Sequence, residues 1–130
     1  MVTHSLAFGL LDSSTRRSAA DAILAALDKG AIDIFSEAEA LVDLAGSIDG
    51  ALTLLEAVAE VDTTASLALM IGLYPIASRS REHSIADSIE LWLFHEGTER
   101  IRRLIEELRG DKRLGQKAEL WLRQNPWTGH

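Results

Sequence analysis

Apolar residues in this chain recur at helical spacing almost from end to end, with little strand-like alternation. Ala20, Ile23, Leu24 and Leu27 fall at i, i+3, i+4 and i+7, after the cap candidates of "DSST" (Asp12–Thr15) and before Gly30. Ala38, Leu41, Val42 and Ala45 repeat that spacing. Ser36 and Glu39 stand ahead of them at capping-box separation, and Gly46 closes the segment. A third helix is predicted after Asp49, with Leu52, Leu55 and Ala59 inward and Asp49, Thr53, Glu56 and Glu60 as its polar stripe. Further on, Ile85, Ile89, Trp92 and Leu93 mark a helix from about Ser84 to His95, ahead of Gly97. Ile101, Leu104, Ile105 and Leu108 mark the next, closed by Gly110. Leu114, Ala118, Trp121 and Leu122 mark the last, stopped at Asn125–Trp127.

The stretch "DTTASLALMIGLYPIAS" (Asp62–Ser78) breaks this amphipathic habit, because no charged side chain follows its opening aspartate. On a helical wheel Leu67, Met70, Ile71 and Tyr74 gather on one side, and Ala65, Ala68, Leu69, Gly72 and Ile76 on the other. A helix apolar all round is buried on both sides. Its large face fills a core, and its small face, with Gly72 as a packing contact, admits a close neighbour. The lack of an amide on Pro75 predicts a kink or an end near that residue. The segment is too short to span a bilayer, which takes roughly 20 apolar residues.

Together these elements predict one all-α domain over 1–130. About seven helices with antiparallel neighbours form an ordered core over 16–124, and short tails extend at both ends. The length of 130 residues suits a single domain, and a hydrophobic fraction of 47% suffices for a real core. The absence of cysteine excludes disulfides and thiolate metal sites. No basic residue precedes the short N-terminal apolar run, so neither a signal peptide nor a membrane span is expected and the cytoplasm is the expected location.

An internal echo links three aspartates. "DSSTRRSAADAILAAL" begins at Asp12, "DTTASLALMIGLYPIA" at Asp62 and "DKRLGQKAELWLRQNP" at Asp111. The helices "GALTLLEAVAEV" and "GTERIRRLIEEL" lead into the second and third. This helix, turn, aspartate, helix pattern resembles a HEAT-like α-helical repeat. In such repeats the turn aspartate caps the second helix, and basic residues early in that helix often pair with neighbouring aspartates. Arg16, Arg17, Lys112 and Arg113 match the basic positions, whereas the Asp62 unit has none. The spacing is longer than the usual repeat, and Pro75 falls in the second helix rather than the first. Weakly similar units occur in large bacterial multi-repeat proteins. The resemblance implies a short α-solenoid with a protein-binding face; an irregular helical bundle is the alternative architecture.

The net charge of −7 is unevenly spread. Between Asp21 and Asp62 Lys29 is the only base among many acids, whereas bases outnumber acids between Glu99 and Arg123. That asymmetry points to a protein partner with a basic surface and away from nucleic acid. The arginine-rich "RIRRLIEELRGDKRLGQK" places Glu106 four residues from Arg102 and Glu107 four from Arg103, spacings of ordinary helix-surface ion pairs. Aromatic residues are too scarce for a base-stacking platform.

The chemistry-bearing candidates are few. His83, Asp87 and Glu90 share a helical face at i, i+4 and i+7, the spacing of a metal site but equally of a solvated face. His95 and Glu96 offer an acid–base pair or a helix-end charge. No nucleophile elbow or phosphate loop occurs, so neither an enzyme nor a cofactor is expected. Trp92 and Trp121 lie on apolar faces, while Trp127 follows the Pro126 stop as a tail or a lid. The leading expectation is a non-enzymatic protein–protein interaction module, a HEAT-like scaffold or adaptor. Its partner-binding candidates are Glu39, Asp43, Asp49, Glu56, Glu60 and Trp127. The alternatives are an immunity or antitoxin protein blocking a basic toxin or nuclease, and a helical metal protein or enzyme.

Overall fold

The helical periodicity becomes helix nearly wherever the sequence shows it. The computed structural model describes residues 6–80, 83–96 and 98–124. It contains a 3-10 helix η1 (Leu6–Leu11), then α1 (Arg16–Asp28), α2 (Ile34–Ala45), α3 (Ile48–Ala59), α4 (Thr63–Arg79), α5 (His83–Glu96) and α6 (Glu99–Glu107). A short 3-10 helix η2 (Leu108–Gly110) leads into α7 (Gly115–Gln124). The protein is an all-α helical bundle. The expected stops at Gly97 and Asn125–Trp127 lie outside the described residues.

Helix α4 is the hub. It packs against α1, α2, α3, α5 and α6, so its lack of charge follows from its being surrounded. Leu67, Leu69, Met70, Ile71 and Leu73 are all buried, each worth about 1.5–3 kcal/mol relative to exposure. Asp62 caps the helix by accepting the Ala65 amide at 3.2 Å. On the small face, Gly72 sits against α2. A Cβ built there would lie 2.5 Å from the Ile34 carbonyl oxygen and 3.0 Å from the Ala38 Cβ. Glycine is what lets the two backbones approach so closely. Of the kink or end expected near Pro75, the end falls one turn later, at Arg79. The turn beyond the proline is held by burial of Ala77, whose carbonyl accepts both the Ser80 amide at 3.2 Å and the Ser80 hydroxyl at 2.8 Å.

Local expectations need three corrections. Asp33, not Ser36, caps α2: its carboxylate accepts the Phe35 amide at 3.2 Å and the Ser36 hydroxyl at 3.2 Å. Gly46, left-handed at φ 85°, closes that helix as expected, its amide donating to the Val42 carbonyl. Helix α3 starts from Ser47, whose hydroxyl oxygen accepts the Gly50 amide at 2.9 Å. Its buried residues are Ala51, Leu55 and Val58, with Leu52 and Ala59 only half-buried, so the inward face is rotated from the expected one.

The third correction concerns the N-terminal tail, which from Leu6 onward is built into the core. Ala7 and Leu10 are fully buried in η1. A lone 3-10 turn leaves amides free at one end and carbonyls at the other. Here side chains satisfy both ends. The buried Glu37 of α2 accepts the Ala7 amide at 3.1 Å. At the other end the Thr15 hydroxyl donates to the Gly9 carbonyl at 2.8 Å, and Arg16 Nε donates to the Leu10 carbonyl at 2.8 Å.

The three aspartates of the internal echo behave alike only in part. Asp62 is a true N-cap. Asp12 instead accepts the Ser14 amide at 2.9 Å, and Asp111 the Arg113 amide at 2.6 Å, each four residues before its helix begins. The Ser14 amide, then its hydroxyl, hold the Asp12 carboxyl below the usual range. Both of these turns follow a 3-10 helix, so the likeness of the chain's two ends is local.

Candidate interaction surface

The acids of α2 and α3 are displayed by default: each helix turns its apolar stripe to the core, so residues opposite that stripe face water. Glu39, Asp43, Asp49, Glu56 and Glu60 are all exposed. None forms an ion pair with another described residue. Glu37, from the same acidic stretch, is the exception already described, buried and engaged with η1.

The two stripes do not merge into one pocket. Glu39 borders a small cleft with Phe35, Gly72, Pro75, Ile76, Arg79 and Arg113. There the Arg113 guanidinium lies 4.3 Å from the Phe35 ring centroid. Glu60 borders a different cleft, with Ala59, Thr63, Trp92, His95 and Glu96. Thr63 and Pro75 are about 18 Å apart along α4, at 1.5 Å per residue. Glu56 stands one turn before Glu60 on α3, so the α3 stripe runs into this second cleft.

Trp121 is fully buried, as expected of a core residue, but Trp92 is only half-buried and lines the cleft beside Glu60. Trp127 lies outside the described residues. Of the trio weighed for a metal, His83 and Asp87 are exposed, while Glu90 turns toward α4 and α7. Among the described residues no group of three or more His, Asp and Glu side chains gathers as ligands.

Glu90 belongs to a cluster that the sequence did not reveal. Its Oε2 accepts the Tyr74 hydroxyl at 2.8 Å and lies 2.8 Å from Lys117 Nζ. The Lys117 ammonium stands 5.8 Å from the Tyr74 ring centroid. Trp121 meets Tyr74 edge-on, with centroids 5.1 Å apart at 83°. Burial and then the bond to Glu90 raise the Tyr74 pKa, and the bond to Glu90 raises that of Lys117. A tyrosine or lysine acting as base or nucleophile needs its pKa lowered. This trio keeps the phenol neutral and the ammonium charged, so it ties α7 to α4 and α5. Its members lie on three helices, beyond the reach of spacing within one segment.

Half of the bases in the basic segment are held in ion pairs. Arg102 pairs with Glu106, as its spacing predicts, and also with Glu99. Arg100 pairs with Asp28 across to α1, and Arg109 lies 3.8 Å from Glu119. No ion pair joins Arg103 to Glu107; both line an open cleft with Asp28, Lys29 and Arg100. Among the described residues no helix is long and apolar enough to cross a membrane. Compared with known proteins, the chain matches no family model, and no curated protein or solved structure shows significant similarity to it.

Proposed function

We propose that the protein is a non-enzymatic protein–protein interaction module whose acidic α2–α3 surface receives a partner with a basic surface. One observation carries this reading: five exposed carboxylates on two adjacent helices have no ion-pair partner among the described residues, while Arg100, Arg102, Arg109 and Lys117 of the basic segment are held in ion pairs. Unpaired like charges repel one another, and an acidic surface attracts and orients an oppositely charged partner. A HEAT-like scaffold remains part of the proposal on the sequence echo at Asp12, Asp62 and Asp111, of which Asp62 alone caps its helix directly.

The test is capture from native cell extract at low and high salt. Wild type is compared with a variant carrying Glu39→Gln, Asp43→Asn, Glu56→Gln and Glu60→Gln. The expected result is one stoichiometric, salt-sensitive basic partner that the variant loses. If that partner is a toxin or nuclease whose activity the protein suppresses, the module acts as an inhibitor; a partner within a larger assembly makes it an adaptor. Capture indifferent to the four substitutions would reduce the acids to a solvated face.

A further inference from the structure

Resting on the reading of an acidic interaction module, we infer that the cleft between the α3–α4 junction and the end of α5 is its anchor pocket. It would accept a partner segment in which an apolar side chain lies beside lysine or arginine. The cleft encloses about 440 Å³ and is lined by Ala59, Glu60, Thr63, Trp92, His95 and Glu96. Its walls are mostly apolar, whereas the clefts around Arg100 and around Lys112 are lined mainly by charged groups. Trp92 supplies an amphipathic ring of the kind enriched where binding energy concentrates. Leu91, 58% exposed, extends the apolar ground one turn before His95.

The rim selects the charge of the occupant. Glu60 and Glu96 stand at the edge, Glu56 lies one turn behind Glu60, and among the described residues neither lysine nor arginine lines the cleft. An acidic segment would meet like charges there, while a basic one would have its apolar anchor on Trp92 and its cations over the carboxylates.

The experiment is an amide and indole NMR titration of the full chain with two short capped peptides. One alternates leucine with arginine and the other alternates leucine with glutamate. It is run at about 0.15 M salt, where charges beyond about 8 Å are largely screened. The arginine peptide is expected to shift the Trp92 indole and the Thr63 and His95 amides. Binding should weaken at least tenfold in Glu60→Lys/Glu96→Lys and in Trp92→Ala, with helicity checked by circular dichroism. Asp21→Lys/Glu107→Lys, at exposed acids outside the cleft and outside both acidic stripes, should leave it unchanged.

Equal binding of the glutamate peptide, shifts centred elsewhere, or no shifts up to millimolar peptide would each overturn the inference. So would cleft signals that move on dilution of the free protein, since a second copy would then be the occupant. A captured basic partner that depends on Glu39 and Asp43 but ignores Trp92 and the rim would sink the anchor pocket alone. The broader module reading would survive that result.

Discussion

Helices α6 and α7 bind most of their charges to one another or to neighbours, whereas α2 and α3 leave Glu39, Asp43, Asp49, Glu56 and Glu60 facing solvent. Burial differs in the opposite sense. The acidic helices lean on the apolar hub α4, while α7 buries only Ala118 and Trp121 and is fastened by Lys117 to Glu90. Where apolar burial is plentiful, surface charge is free to serve something other than stability. Where it is thin, charges are used locally to hold a helix in place.

The largest test of this contrast is Trp121→Ala. Removing the one large side chain that α7 buries should cost about 3–5 kcal/mol in urea unfolding, and the α7 amides should lose hydrogen-exchange protection before those of α4. Uniform loss across both helices would show that α7 is as much a part of the core as the hub. Next, Gly72→Ala should cost about 1–3 kcal/mol, because its Cβ meets backbone at Ile34 rather than a movable side chain. Gly110→Ala, with open space around it, should change the urea midpoint little.

Glu37→Ala separates the one buried acid of the N-terminal half from the exposed ones. Leaving the Ala7 amide without its acceptor should cost about 1–3 kcal/mol. The matching prediction for the exposed set is the reverse in sign: Glu39→Gln, Asp43→Asn, Glu56→Gln and Glu60→Gln together should leave Tm unchanged or slightly raised at low salt. A clear drop in Tm would mean that these acids have a structural duty.

The smallest effect concerns pH. Tyr74 and Lys117 hold their protons more tightly in the folded chain than at the ordinary values of 10.0 and 10.5. Above those values the unfolded chain gives up protons first, so stability is fully present below them and falls as pH rises through the raised folded values. Replacing both residues, Tyr74→Phe with Lys117→Met, should flatten that alkaline loss in thermal melts between pH 9 and 11.

The sequence announced the hub, because sixteen uncharged residues after Asp62 admit few placements other than the middle of a bundle. It also located Gly46, the Asp62 cap, the close contact at Gly72 and the burial of Trp121, all of which depend on residues near in sequence or on one helix face. It missed η1 because "LAFGLL" is too short to show a period and its acceptor Glu37 lies 30 residues from Ala7. The missing amide at Pro75 left open a kink or an end near it, and the burial that carries α4 on to Arg79 is not visible in the local sequence. The cleft at Trp92 was illegible, since its walls come from the α3–α4 junction and from α5, and no spacing rule relates Glu60 to His95.

The side-chain fastening of η1 also orders events in time. Leu6–Leu11 is made before every helix described here, yet the acceptor for its Ala7 amide arrives only with α2. Closing that span costs chain entropy before any contact repays it, so η1 should dock late although it is synthesised early. During that interval Ala7 and Leu10 stay in water, and the site they will occupy on α1 and α2 stays open. A chain in which η1 docks late would expose Ala7 and Leu10 to chaperones or to a neighbouring chain until α2 has formed.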